Sequence, residues 1–129
     1  MASYPSDLKY DKAHEWVRID GDTAVIGISD FAQDQLGEVV FVDLPEVGSE
    51  LVAGETFGEI ESVKSVSDLF SPLTGSVVER NDTLSDAPET VNEDAYGDGW
   101  LVKVKMSDAS ELDGLMAAAE YEEFIAGEA

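Results

Sequence analysis

The chain has 129 residues, with 29 acidic against 7 basic side chains, a formal net charge of −22 and no cysteine. The charge excludes binding to a nucleic-acid backbone as a main activity, and the missing cysteines exclude disulfides, thiolate nucleophiles and thiolate metal ligands. Hydrophobic residues make up 43% of the sequence, so the chain can bury one core and form one domain. Many acids with few lysines are typical of proteins that stay soluble in high salt.

The apolar runs are short, and none approaches the roughly 18 residues that a membrane span needs. The N-terminus has no basic region followed by an apolar run, as a secretory signal would have. We therefore expect a cytoplasmic protein that does not enter a membrane.

The first elements along the chain are a hairpin and a short helix. Residues 15–20 and 23–28 are predicted to be strands joined by a Gly-Asp turn. Asp30 is predicted to cap the helix, with Gln33 as its capping-box partner and Gly37 at the helix end.

The middle of the chain predicts further strands separated by turn residues. Gly58 indicates a close backbone approach or a bulge within one of them. Residues 82–99 are acidic and are predicted to form a loop. The predicted strands are 38–44, 55–62, 65–71, 75–81 and 100–106, the last alternating Leu101, Lys103 and Lys105 with a buried face of Val102, Val104 and Met106.

The C-terminal segment, residues 107–125, is predicted to be helical, with Ser107 or Asp108 as its cap. A spacing of three and four residues predicts a stripe that faces the core, formed by Leu112, Leu115, Met116 and Ala119. Together these elements predict a mainly β fold, a small sandwich or barrel with flanking helices.

Few residues offer catalytic chemistry. The sequence contains no nucleotide-binding glycine motif and no nucleophile elbow, and an acidic loop around residues 92–103 lacks the ligands of a calcium site. His14 is the one histidine. We interpret it as a surface or hydrogen-bonded histidine before a strand rather than as a proton-handling or docking residue.

Lys64 stands out because it is the only Lys or Arg between Ile19 and Glu79. It lies between Val63 and Ser65, at the predicted tip of a hairpin spanning about residues 56–71. An exposed lysine at a loop tip is ordinarily a surface residue, but its scarcity here favours a swinging arm. Acylation of such an amine would tether a prosthetic group that moves between active sites.

Four segments in order resemble the H-protein family of the glycine cleavage system: "HEWV", "GISDFAQDQLGEVVFVDLPEVG", "GEIESVKSVSDLFSPLTGSVVERN" and "YGDGWLVKVK". The resemblance implies a barrel-sandwich hybrid fold, as in lipoyl and biotinyl domains, with short flanking helices and a C-terminal helical segment. It also implies that residues 1–129 form a single lipoyl-carrier domain with lipoate in amide linkage to Lys64.

In this family the carrier passes the aminomethyl group of glycine from a pyridoxal-phosphate glycine decarboxylase to a tetrahydrofolate-dependent aminomethyltransferase. Electrons then pass to dihydrolipoamide dehydrogenase. A lipoate ligase or a lipoyl or octanoyl transferase would modify the lysine. The resemblance therefore implies a non-catalytic carrier, with no metal, whose working sulfur atoms belong to its cofactor.

The cationic amine on a loaded arm could be held by a nearby pair of carboxylates. The resemblance offers Glu15 and Asp68 as this pair, although they are two acids among 29. His14, next to Glu15, is a third candidate for the pocket that would receive the arm. The sequence departs from the family at Ala95, where proline is usual, and at Thr90, where leucine is common. Both departures lie away from the arm and concern the conformation of the loop.

Two other functions remain open. The chain could relay lipoyl groups to 2-oxoacid dehydrogenases, which needs the same lysine and fold. It could also be an interaction module with an unmodified lysine. A biotinyl carrier is disfavoured, because the methionines that usually flank its lysine are replaced by Val63 and Ser65.

Overall fold

The structure, a computed structural model, describes residues 4–127 and is mainly β. Its helices are short: α1 Asp30–Leu36, α2 Thr83–Asp86, α3 Thr90–Glu93 and α4 Ala118–Ala126, with a 3-10 helix at Ala109–Gly114. Its strands are β1 Lys9–Tyr10, β2 Glu15–Asp20, β3 Thr23–Ile28, β4 Val39–Asp43, β5 Glu50–Leu51, β6 Thr56–Ser62, β7 Val66–Phe70, β8 Gly75–Arg80 and β9 Val102–Met106.

The strands form two antiparallel sheets. The larger sheet has the order β1-β2-β3-β9-β8-β5, and the smaller has the order β4-β6-β7. Alternate apolar side chains of both sheets meet in one core, where Ile26 and Val104 of the larger sheet join Ile60 and Leu69 of the smaller. This two-sheet, mainly β architecture confirms the predicted fold class.

A second core lies on the outer face of the larger sheet, under α4. Trp16, Tyr10 and Tyr121 are fully buried there, and the rings of Tyr10 and Tyr121 stack with their centroids 4.7 Å apart. The Trp16 ring packs directly against the backbone of Gly27 in β3. This contact requires glycine, since a Cβ at position 27 would lie 2.5 Å from the indole ring. The C-terminal helix is thereby fixed against β1 and β2.

Helix α1 forms where the sequence predicted a helix, but its cap is one residue earlier. Ser29 is the N-cap, and its hydroxyl accepts a hydrogen bond from the Ala32 amide at 3.2 Å. The Asp30 carboxylate instead accepts from the Gln33 side chain at 2.8 Å. Gly37 ends the helix with a φ of 82°, a conformation that favours glycine.

The continuous C-terminal helix predicted for 107–125 is wrong. The chain forms a 3-10 helix, extends through residues 115–117 and then begins α4. The interruption has a tertiary cause: Met116 and Tyr10 exchange backbone hydrogen bonds of 2.7 and 2.8 Å, which a helix would not permit. The predicted stripe is formed in part: Leu112, Leu115 and Met116 are half-buried against the two cores, whereas Ala119 is exposed. Tyr121 and Ile125 are buried residues of α4 that the sequence did not place in the core.

The region predicted as a loop, 82–99, contains the single-turn helices α2 and α3. Leu84 and Val91 anchor them in the main core. The following strand begins at Val102, and Leu101, placed by the sequence on the exposed face, is fully buried before it. Gly58 does mark a close approach, because a Cβ there would lie 2.2 Å from the carbonyl oxygen of Asp43.

Candidate functional site: the hairpin lysine and an adjoining groove

Lys64 lies exposed at the tip of the β6–β7 hairpin, between the two strands of the smaller sheet. The tip is held by Ser62, whose buried hydroxyl accepts hydrogen bonds from the Lys64 and Ser65 amides at 3.3 and 3.1 Å. The Val63 amide donates to the Glu38 carbonyl at 3.0 Å. A side chain at this position therefore projects from a rigid backbone.

The Lys64 side chain extends over Gly37 at the end of α1. Its Cε atom lies 3.1 Å from where a Cβ on Gly37 would be. Within residues 4–127, no carboxylate lies within ion-pair distance of the Lys64 amine. The amine is thus accessible for acylation without loss of a salt bridge.

A groove of about 610 Å³ lies beside the hairpin, bounded by residues 13–15, by α1 and by β7. We call it the hairpin groove. Ser65, which directly follows Lys64, lines one side. Its walls combine apolar side chains, Phe31, Leu36, Ile60 and Leu69, with polar ones, His14, Glu15, Gln35, Ser67 and Asp68.

Glu15 and Asp68 face this groove in different environments. Asp68 is exposed on β7, whereas Glu15, at the start of β2, is 2% exposed. Burial raises the pKa of Glu15 well above its usual value, and the nearby Asp11 raises it further, whereas a hydrogen bond from the Phe70 amide acts in the opposite direction. One carboxyl oxygen, Oε1, has no hydrogen-bond partner among the described residues.

Because the pKa of Glu15 is raised in the folded protein, its contribution to stability depends on pH. The contribution is fully present below the ordinary value of 4.5 and is lost as pH rises through the raised value. Glu15→Gln cannot ionise. We therefore expect this variant to become more stable relative to the wild type as pH rises from 4.5 through the raised pKa of Glu15. Urea unfolding midpoints at fixed ionic strength would measure the difference.

The matched control is Glu122→Gln, which removes one exposed carboxylate from α4. Its unfolding midpoint should follow the wild-type pH profile. If the unfolding midpoints of Glu15→Gln and the wild type differed by the same amount at every pH, the raised pKa of Glu15 would be contradicted.

His14 connects the groove to the C-terminal helix. It adopts a φ of 72°, is half-buried, and shares a 2.8 Å hydrogen bond between its Nδ1 and the Tyr121 hydroxyl. The same hydroxyl is 2.7 Å from the hydroxyl of Ser29, the α1 cap. His14 is therefore a hydrogen-bonded wall residue of the groove, and its contact with an arm stays a prediction.

The structure thus brings three of the sequence-predicted residues, His14, Glu15 and Asp68, around one groove and places Lys64 at its edge. Sequence reasoning missed Asp11 and Tyr121. Asp11 reads as an ordinary turn residue in "YDKAHEW", and Tyr121 falls in a segment whose helical period suggested only core packing.

Among residues 4–127, no helix is long and apolar enough to cross a membrane. The same residues contain no group of three or more histidine, cysteine, aspartate or glutamate side chains that could hold a metal ion.

The two-sheet fold with an exposed lysine on a hairpin tip defines a small carrier domain of the lipoyl type. The family described as "Glycine cleavage H-protein" matches residues 8–128. The chain therefore belongs to the glycine cleavage H-protein family.

Individual relatives agree over nearly the whole chain. The glycine cleavage system H protein of Marinobacter nauticus is 58% identical over 99% of this chain and 99% of its own length. That of Symbiobacterium thermophilum is 56% identical over 96% of this chain and 97% of its own. A crystal structure of a glycine cleavage system H protein from Mycobacterium marinum matches with a TM-score of 0.87 and 42% identity, over 95% of this chain and 98% of that one.

Family membership confirms the resemblance drawn from the sequence and the carrier role in glycine cleavage that it implied. The lysine that carries the cofactor, the residues of the groove and the individual partner enzymes remain predictions.

Proposed function

We propose that Lys64 carries lipoate in amide linkage and that the chain, as a single domain over residues 1–129, acts as the non-catalytic carrier of glycine cleavage. The observation that carries this proposal is the placement of Lys64 beside the groove, with an accessible amine on a rigid tip. When bound, lipoate would supply a disulfide that can accept the aminomethyl group and, once this group has been passed on, a dithiol that can give two electrons to dihydrolipoamide dehydrogenase.

The described residues fit such an arm. The groove has apolar walls for a hydrocarbon stem and ring, and acidic side chains for a cationic end. Ser62 fixes the hairpin tip, so the arm would move about a defined anchor point. Glu15 and Asp68 would bind the cationic amine and keep the aminomethyl group away from water.

The surface around Lys64 is suited to enzymes that must enclose an arm. Val63 and Val66 are 67% and 58% exposed at the tip, and Phe41, opposite Glu61 on the neighbouring strand, is 55% exposed. Exposed apolar residues grouped in this way are typical of protein-binding surfaces. We propose that the glycine decarboxylase, the aminomethyltransferase, dihydrolipoamide dehydrogenase and the lipoylating enzyme dock here in turn, in the cytoplasm.

Reconstitution tests the proposed function. The purified, lipoylated chain would be combined with glycine, glycine decarboxylase, aminomethyltransferase, tetrahydrofolate and dihydrolipoamide dehydrogenase. We expect glycine-dependent formation of methylenetetrahydrofolate that requires the chain. No glycine-dependent product, together with transfer of lipoyl groups to an unmodified 2-oxoacid dehydrogenase domain when a lipoyl transferase is added, would instead support a relay function.

The acidic side chains of the groove should prolong retention of the aminomethyl group. A charge-assisted hydrogen bond contributes about 1.5–3 kcal/mol, so we expect Asp68→Asn or Glu15→Gln to shorten retention by roughly 10- to 100-fold. Mass spectrometry of the loaded chain over time would measure the loss. Asp34→Asn, an exposed change on α1 outside the groove, should leave retention unaltered.

A lifetime unchanged in both Asp68→Asn and Glu15→Gln would contradict a holding role for these two side chains. It would leave the carrier role of Lys64 unaffected, because that role depends on the accessible amine rather than on the groove.

A further inference from the structure

The hydroxyl of Tyr121, on α4, lies between two walls of the hairpin groove. It is 2.8 Å from Nδ1 of His14 and 2.7 Å from the Ser29 hydroxyl. His14 lines the groove itself, and Ser29 caps α1, which supplies Phe31 and Ala32 to the lining. One hydroxyl of the C-terminal helix therefore joins two of the elements that bound the groove.

The direction of these hydrogen bonds follows from the surroundings of Ser29. The Ser29 hydroxyl is fully buried, and its partners within residues 4–127 are the Ala32 amide and the Tyr121 hydroxyl. An amide N–H can only donate, so it cannot accept the Ser29 proton. A buried hydroxyl proton without an acceptor is costly. The Ser29 hydroxyl therefore accepts from Ala32 and donates to Tyr121.

The tautomer of His14 follows from this direction. The Tyr121 oxygen accepts from Ser29, and Nδ1 of His14 is in position to accept the Tyr121 proton at 2.8 Å. A ring nitrogen that accepts a hydrogen bond carries no proton, so the proton of the neutral His14 ring is on Nε2. The tautomer is thus assigned from the hydrogen-bond network, in which each of the two hydroxyls both donates and accepts.

The backbone of His14 is held by several contacts at once. Its φ of 72° lies in the left-handed region, which residues other than glycine adopt at a cost. The His14 amide donates to the Asp11 carbonyl at 3.0 Å, and its carbonyl accepts from the Ser29 amide at 2.8 Å. The ring packs on Phe31 with their centroids 5.0 Å apart. The hydrogen bond from Tyr121 adds a fixed direction for the ring.

Tyr121 has a defined position from which to act. It is fully buried, and its ring stacks on Tyr10 of β1 with the centroids 4.7 Å apart. Tyr10 also exchanges backbone hydrogen bonds with Met116, shortly before α4. The Tyr121 hydroxyl is therefore fixed relative to the larger sheet.

We propose that Tyr121 is a positioning residue of the hairpin groove. Its hydroxyl holds His14 as the Nε2-protonated tautomer and ties it to the α1 cap, so the C-terminal helix sets the shape of the groove that receives the arm. Tyr121 lies behind the groove lining rather than in it, and acts through His14 and Ser29. The effect on the arm rests on the proposed function, whereas the hydrogen-bond chain does not.

The first measurement uses the full chain without lipoate. The sequence contains a single histidine, so ¹⁵N NMR of the chain labelled at histidine reports the two ring nitrogens of His14 alone. At alkaline pH, where the ring is neutral, we expect the wild type to show an unprotonated Nδ1 and a protonated Nε2. Tyr121→Phe removes the donor to Nδ1 and should shift the Nδ1 signal from its wild-type position.

Tyr10→Phe is the matched control. It removes a hydroxyl from the ring that stacks on Tyr121, but this hydroxyl donates to the Pro5 carbonyl at 2.8 Å. Both variants lose one hydroxyl hydrogen bond from the same core, so they should lose similar stability. Only Tyr121→Phe should move the His14 signals.

Three results would overturn the role of the Tyr121 hydroxyl. They are a protonated Nδ1 in the wild type, identical nitrogen signals in the wild type and Tyr121→Phe, and equal shifts in Tyr121→Phe and Tyr10→Phe. The first of them needs no variant, so the direction of the hydrogen bonds is tested even if a variant does not fold.

The second measurement uses the lipoylated chain, loaded with the aminomethyl group by glycine decarboxylase and followed by mass spectrometry. Tyr121→Phe should shorten retention by about fivefold, the effect of one neutral hydrogen bond, whereas Tyr10→Phe should retain the group as long as the wild type does. Equal retention in Tyr121→Phe and the wild type would overturn the positioning role. Failure of the wild type to load would contradict the proposed function, while the nitrogen signals would still decide the hydrogen-bond chain.

Discussion

Lys64→Arg should abolish lipoylation and all glycine-dependent transfer while leaving the fold intact. Arginine retains a positive charge, but its guanidinium, which stays protonated, does not form the amide that tethers lipoate. Lys64 is exposed and forms no ion pair with any residue from 4 to 127, so we expect its replacement to change the free energy of unfolding by less than about 0.5 kcal/mol. Mass spectrometry would measure lipoylation, urea unfolding would measure stability, and the reconstituted assay would measure glycine-dependent transfer.

Lys105→Arg is the matched control, because Lys105 is also an exposed lysine on a strand, β9, but lies away from the groove. It should retain lipoylation and transfer. If Lys64→Arg still carried lipoate or still transferred the aminomethyl group, the arm would belong to another lysine and the proposed site would be wrong.

Trp16→Ala should cause the largest loss of stability. Trp16 is fully buried, packs against Gly27 and donates a 2.9 Å hydrogen bond from Nε1 to the Ala95 carbonyl. Its removal leaves a cavity and an unpaired carbonyl, which together should lower the free energy of unfolding by about 3–5 kcal/mol. Against a typical total of about 5–15 kcal/mol, the effect should appear as a much lower urea midpoint.

Trp100→Ala provides the comparison. Trp100 is half-buried, and its ring faces the Lys103 ammonium at 5.0 Å. Trp100→Ala should lower the free energy of unfolding clearly less than Trp16→Ala does, because Trp100 buries less apolar surface on folding. The structure indicates that Trp16 anchors residues 82–99 to the sheet through its hydrogen bond with Ala95. Equal losses of unfolding free energy in the two variants would contradict this anchoring role.

The elements that the sequence predicted well are those whose local signals agree with their tertiary contacts. The hairpin of β2 and β3 has the expected bounds, because its turn residues and alternating apolar positions act together. α1 was predicted with a cap one residue too late, since Ser29 and Asp30 are both capping residues and only the fold decides between them.

The errors have a different origin. The pairing of Met116 with Tyr10 interrupts the C-terminal helix, and a partner more than 100 residues away leaves no local trace in the sequence. The strands β1 and β5 have two residues each, too few to show a period. The single turns α2 and α3 are held by buried Leu84 and Val91 rather than by helix propensity.

For the site, the sequence motif identified Lys64, Glu15 and Asp68 as candidates, and the fold supplied their environments. Nothing in the sequence separates the buried Glu15 from the exposed Asp68. The backbone hydrogen bond between Asp11 and Glu15 was also hidden, because it depends on the conformation of the turn between β1 and β2.

The modification of Lys64 is the central claim, and peptide mass spectrometry of the protein from its native cell tests it most directly. We predict a mass increase equal to that of a lipoyl group on the peptide that contains Lys64. An unmodified Lys64, in cells that lipoylate other proteins, would contradict the proposed function and would favour an interaction module with a free lysine.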